Sequence, residues 1–286
     1  MDDHQKTERA ETERRFAGLK IQPANMFFSQ PIPPIDWLVK GMVEAKTVTM
    51  LAGAPKTAKS WFALEMALSV STGTNMFDDP LLMGPADARP VLSFLLEDSP
   101  HSINSRIRAM AQAKQVHDPV DLDMYFRFGG GLNLAENSCA LQLAEDIKHN
   151  LPPLGLITFD PFRNLHTGDE NDSGAITQIM DNLRRIRDIT GAAILVVHHT
   201  RKPTASDKAN PGFSVRGSGA IYGSVDGLIT MMNVSSIEDD RDIFKNNVFC
   251  RVKAGRESKP FSVELRIYDD ENGRANKTRW KTGGVF

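Results

Sequence analysis

The run Gly53-Ala54-Pro55-Lys56-Thr57-Ala58-Lys59-Ser60 combines residue types that suit the capture of a phosphate chain. That chemistry needs backbone N–H groups at a helix N-terminus to surround phosphate oxygens, an ammonium for the outer phosphates and a hydroxyl for Mg²⁺. Lys59 and Ser60 supply the last two, and Trp61 stands next in the helix they open. The layout is G-x-x-x-x-G-K-S with Ala58 where the second glycine belongs. A Cβ at that point crowds the phosphate and costs roughly 1 kcal/mol wherever the backbone must turn left-handed. A chance strand–loop–helix is the plain alternative, and the surrounding residues weigh against it.

Further candidates follow at the ends of apolar runs. Leu95-Leu96-Glu97-Asp98 places a carboxylate, Glu97, where it could orient a water attacking the γ-phosphate. Asp98, Ser99 and Pro100 read as a helix start, so capping accounts for part of this segment and leaves Glu97 over. Leu154–Phe159 runs into Asp160, the acidic position expected to hold the Mg²⁺ shell. Ala192–Val197 runs into His198 and His199, where a histidine could sense the γ-phosphate; a structural histidine is as good a reading for either one alone.

Positioning these groups requires a particular scaffold. Thr47–Ala52, Val91–Leu96, Met124–Phe128, Leu154–Phe159 and Ala192–Val197 are short apolar runs bounded by turn residues, the pattern of strands buried on both faces. The phosphate run opens a helix through Phe62, Ala63, Met66, Ala67 and Val70. Across Gly174–Thr190, Ile176, Ile179, Leu183 and Ile186 recur at helical spacing, with Gly191 as C-cap. Alternating βα units imply a mainly parallel sheet flanked by helices, with ligands at the carboxyl ends of its strands. Beyond Gly223, Gly227–Met232, Val248–Ala254 and Phe261–Tyr268 read as C-terminal antiparallel strands.

Composition bounds the rest. The formal charge of −2 excludes a polycation that coats nucleic acid indiscriminately. Cys139 and Cys250 lie far apart without neighbouring ligands, which indicates neither a disulfide framework nor a zinc site and fits a reducing cytoplasm. The polar first twenty residues carry no apolar stretch of the kind a signal or membrane span needs, so a cytoplasmic protein without membrane contact is expected. The expected organisation is a polar, Pro-containing extension over 1–35, a core over 36–268 and a basic tail over 269–286.

With these motifs placed, the chain resembles RecA-like P-loop ATPases of the hexameric plasmid replicative helicase (RepA) type, a group also described as AAA-family ATPases. The resemblance runs from Asp36 to Tyr268 on Gly53–Ser60, Leu96–Asp98, Asp160 with Arg163 and Glu170-Asn171, His198-His199-Thr200-Arg201-Lys202, and Arg216-Gly217-Ser218. It implies a RecA-like P-loop NTPase core, ATP and Mg²⁺ as cofactors, and nucleotide bound between protomers of a ring, a hexamer by family habit. Glu97 would be the catalytic carboxylate, Asp160 would join Ser60 on Mg²⁺, and His199 would sense phosphate. A cation from the neighbouring subunit would complete the site, with Arg216 first and Lys253 or Arg256 as alternatives. Ala58 is the departure from the family pattern.

Two segments of weak apolar periodicity, Arg163–Gly174 and Thr200–Gly217, follow strands on the same edge, and Arg201, Lys202 and Lys208 offer partners to a nucleic-acid backbone. The stretch Arg251–Lys281 adds a local excess of basic residues but no aromatic-rich basic strand. The favoured expectation is an ATP-driven DNA helicase or translocase on single-stranded DNA. A regulatory or adaptor ATPase with weak hydrolysis is the second reading, and a metabolic kinase the third.

Overall fold

The computed structural model describes residues 23–80, 82, 84–85, 87–116, 119–168, 172–200, 223–234, 243–252, 256–257 and 259–284. Contacts divide the chain into Met1–Ile35 and Asp36–Phe286. Within the first unit the described residues form a short helix, Ala24–Phe28, after Pro23.

The second unit begins with a small antiparallel pair, β1 (Trp37–Val39) and β2 (Val43–Glu44). The large sheet then takes β3 (Val48–Gly53), β4 (Val91–Leu95), β5 (Met124–Phe128), β6 (Leu156–Asp160), β7 (Ala193–His199), β8 (Gly227–Asn233), β9 (Ile243–Val252), β10 (Arg256–Glu257), β11 (Phe261–Asp269) and β12 (Ala275–Gly284). Its order is β12-β11-β9-β8-β3-β7-β6-β4-β5, with β10 paired to β9. From β8 to β5 neighbouring strands are parallel; β9, β10, β11 and β12 are antiparallel. This is the α/β class that the sequence pattern implies.

Central strands read as unbroken apolar runs because both of their faces are covered. One face of β3, through Val48, Met50 and Ala52, meets Ile176, Ile179 and Leu183 of the crossover helix. The other, through Leu51, meets Phe62, Met66 and Val70 of α1 (Lys59–Thr72). α1 is itself apolar nearly all round, since Trp61, Leu64 and Leu68 on its far side pack against Ile103, Ile107 and Met110 of α2 (Pro100–Ala113). The remaining helices are α3 (Asn137–Asn150) and α4 (Ser173–Thr190). Asp172 caps α4 by accepting from the N–H groups of Gly174 and Ala175, and Gly191 ends it with φ 75°.

The segment expected as a basic tail instead contributes β12. Thr278 is buried, and Trp280 and Thr282 are half-buried on the same side, while Lys277, Arg279 and Lys281 are exposed on the other. That period of two is the strand signature, and the basic residues occupy its solvent side. The turn is built by Asp270, whose Oδ1 accepts from the N–H groups of Asn272 and Arg274 at 2.9 Å each, with Gly273 at φ 70°.

Candidate nucleotide site

Strand order brings the sequence candidates to one sheet edge. β3, β7, β6 and β4 are consecutive neighbours, so their carboxyl ends deliver the phosphate run, His199, Asp160 and the Glu97 segment side by side. Register fixes the alignment: Gly53 stands opposite His199, and Leu95 opposite Asp160.

Gly53 has a steric reason to be glycine. A Cβ there would lie 2.7 Å from the carbonyl oxygen of Met231 on β8 and 3.1 Å from Thr57 Oγ1. The loop then bends through Lys56 at φ 65° and Ala58 at φ 58°, ψ 28°. Ala58 therefore does occupy the left-handed region where a glycine would be unstrained. Its carbonyl accepts from the Phe62 N–H at 3.0 Å, which starts α1 and points that helix's first N–H groups into the loop.

Inside the loop Thr57 Oγ1 donates to the Ala54 carbonyl at 2.9 Å. The Lys59 ammonium donates to the same carbonyl at 2.7 Å and to Thr57 Oγ1 at 3.3 Å. Burial pulls the Lys59 pKa down to about 8, against the opposing pull of Asp160. Asp160 is pushed up to about 6, chiefly by burial, while a hydrogen bond from Ser60 works the other way and the charges of Asp98 and Glu97 add to the rise.

These values describe a carboxylate pocket with more negative charge than Lys59 offsets. A divalent cation fits that deficit, with the Ser60 hydroxyl and the Asp160 carboxylate already converging as donors. Among the described residues no group of three or more His, Cys, Asp or Glu is arranged to hold a metal. That donor set suits Mg²⁺, which binds through one or two protein ligands and completes its shell with phosphate and water.

A cavity of about 710 Å³ opens over the loop, lined by Lys56, Thr57, Ala58, Lys59, Ser60 and Trp61, with His199, Arg106 and Phe244 from other elements. Glu97 is exposed just beyond β4, while Ser99 caps α2 by accepting from the Ser102 N–H and Pro100 takes the first helical position. His198 differs from its neighbour: it is buried edge-on against Phe162 at 5.5 Å, and burial with nearby His199, Lys59 and His166 lowers its pKa to about 4. It is neutral at physiological pH, whereas His199 faces the cavity.

Two cavity residues escape sequence reasoning. Arg106, on α2, pairs with Asp98 at 3.1 Å and lies 5.3 Å over the Trp61 ring. The only sequence signal was an Asp98–Arg106 spacing of two helical turns. Phe244 belongs to a part of β9 that carries Lys245-Asn246-Asn247, residue types that suppress a strand assignment. Arg216 and Lys253 lie outside the described residues, as do Glu170, Asn171, Arg201, Lys202 and Lys208; Arg256 is in β10, opposite Val252.

Comparison with known proteins decides the family. A family model described as an AAA domain matches residues 12–205. The chain belongs to this AAA domain family. Among solved structures, this AAA domain protein is similar to an isolated ATPase domain, with TM-score 0.52 and 13% identity over 84% of this chain and 85% of that one. It is also similar to a DnaB-like replicative helicase solved for its interactions with primase, with TM-score 0.59 and 14% identity over 94% of this chain and 70% of that one. At such identities the likeness establishes the fold, a RecA-like ATPase core with appended antiparallel strands. With the family model it makes the protein an ATPase of the RecA-like class.

Proposed function

We propose that this AAA domain hydrolyses ATP to move along or unwind DNA, acting on single-stranded DNA as a ring, with a hexamer of the plasmid replicative (RepA) type as the working model. The observation that carries the reading is the gathering of Lys59, Ser60, Asp160, His199 and the Glu97 segment around one cavity on one sheet edge. Lys59 would leave the Ala54 carbonyl for the β- and γ-phosphates, and the helix N-terminus would receive the phosphate oxygens. Glu97 would take the proton of the water that attacks the γ-phosphorus as the bond to the β-phosphate oxygen breaks. Ser60 and Asp160 would hold Mg²⁺, which supplies neutralisation of the phosphate charge. His199 would report the γ-phosphate, and Arg216, with Lys253 or Arg256 behind it, would act on the neighbouring protomer's nucleotide. Resemblance to helicase ATPase domains supports the DNA track and the ring, and a cytoplasmic location accords with both.

One observation favours the second reading, an adaptor ATPase with weak hydrolysis: Ala58 holds φ 58° in the phosphate loop. ATP turnover with and without single-stranded DNA, beside Lys59→Ala, separates the two. DNA-stimulated turnover that the substitution cuts by about 10²–10³-fold is expected of the motor. Binding without stimulated turnover would transfer the assignment to the adaptor, and no nucleotide binding at all would remove both.

A further inference from the structure

The antiparallel strands β9, β11 and β12 have one covered and one open face. On the covered side Thr278 Oγ1 donates to the Ala109 carbonyl of α2 at 3.4 Å, Trp280 lies 4.5 Å from Phe77, and Thr282 Oγ1 donates to Asp79 at 2.6 Å. These contacts fix which way β12 faces. Its alternate residues Lys277, Arg279 and Lys281 are therefore held outward, and all are exposed.

Register extends that row across the sheet. Lys277 stands opposite Tyr268, Arg279 opposite Arg266, and Lys281 opposite Glu264, which in turn stands opposite Lys245 on β9. Directly opposite residues share a face, so five cations, Lys245, Arg266, Lys277, Arg279 and Lys281, meet a single anion, Glu264, among these positions. Arg266 Nε donates to Glu264 at 2.8 Å, which occupies that anion. Tyr268 contributes an aromatic ring, 44% exposed.

Lysines on an edge strand ordinarily guard against pairing with another sheet. That role needs charge on β12 alone, yet here the cations reach two strands inward and set Arg279 against Arg266, a like-charge pair that lowers stability. In a chain of net charge −2 the concentration is local. A repeat of about 7 Å along each strand presents the charges as a track rather than a point, and a polyanionic strand is the complement of such a track.

We propose that the open face of β9, β11 and β12 is a second contact surface for single-stranded DNA, on which Lys245, Arg266, Lys277, Arg279 and Lys281 hold the phosphate backbone and Tyr268 stacks on a base. The proposal rests on the single-stranded-DNA reading above and adds a surface distinct from the nucleotide-edge loops. The test uses the full chain and a fluorescein-labelled oligothymidylate, titrated over a range of salt. Replacing Lys277, Arg279 and Lys281 together by threonine keeps strand propensity and removes three phosphate partners. The slope of log K against log salt should become shallower by about 2, so that the wild type's advantage shrinks about 16-fold between roughly 50 and 200 mM salt. Basal ATP turnover without DNA should not change, and Lys277→Arg, Arg279→Lys, Lys281→Arg should restore the wild-type slope.

Equal affinity and slope in the threonine variant would overturn this surface and leave the single-stranded-DNA reading standing. A wild type that hydrolyses ATP but binds no oligothymidylate would overturn both. Binding of poly-glutamate in place of oligothymidylate, lost in the same variant, would overturn DNA as occupant and assign the face to an acidic protein.

Discussion

Replacing Lys114 by methionine should destabilise the whole core, because it strands a buried carboxylate. Lys114 follows α2, is 2% exposed in its side chain, and pairs at 2.8 Å with Glu65 of α1, whose side chain is 1% exposed. The ammonium also donates to the Asn75 carbonyl at 2.6 Å, and Glu65 Oε1 accepts the Phe77 N–H at 2.8 Å. Burial already raises the Glu65 pKa, and the charge and hydrogen bond of Lys114 are the largest opposing influences. Removing one partner of such a pair costs about 3–5 kcal/mol, and at about 2–4 °C per kcal/mol the melting temperature should fall by about 6–20 °C. The pH dependence has a definite sign. A carboxyl whose folded pKa is raised contributes stability below its unfolded pKa and loses it as pH rises through the folded value. Without Lys114 the rise is larger, so the gap to wild type should be narrower near pH 5 than near pH 8, as read by calorimetry. The double variant Glu65→Leu, Lys114→Met should recover at least about 2 kcal/mol relative to the sum of the singles. Additivity within about 0.5 kcal/mol would refute the reasoning.

Ala58→Gly relieves left-handed backbone and the Cβ beside the phosphate path, so ATP affinity measured by titration should rise by up to about tenfold; unchanged or weaker binding would show that the loop has adapted to alanine. His198→Asn should blunt acid denaturation: a histidine whose folded pKa lies at about 4 stabilises above its ordinary value and loses that contribution as pH falls toward 4, a span of roughly 3 kcal/mol that chemical unfolding at several pH values would show missing in the variant.

Much of the parallel half was legible in the sequence, because strands buried on both faces announce themselves as unbroken apolar runs. Met124–Phe128 has the expected bounds, and α4 starts one residue before Gly174, at Ser173, since Asp172 supplies the cap. The antiparallel half was harder. β9 begins at Ile243, five residues ahead of the expected Val248, and buries Asn246 at 2% exposure, so its inward face is partly polar. β12 was hidden because Lys277, Arg279 and Lys281 dominate its composition, although Asn272-Gly273 between it and β11 is a hairpin signal. Within the cavity, the residues on the phosphate run and at strand ends could be found from motif order. Arg106 and Phe244 could not, because their place depends on how α2 and β9 pack across α1.

The packing of β12 also bears on when the protein can finish folding as it is synthesised. Thr278 bonds to Ala109 across 169 residues of sequence, and Thr282 to Asp79 across 203. The cluster that joins α1 to α2 includes Leu265, with Ile267 and Trp280 packed against it. A nascent chain can therefore pair β3, β4, β6 and β7 early, but the apolar sides of α1 and α2 stay wet until residues near 284 leave the ribosome. Until that moment the phosphate loop rests on a helix with one flank uncovered, and the emerging chain is a client for whatever shields apolar surface in the cell.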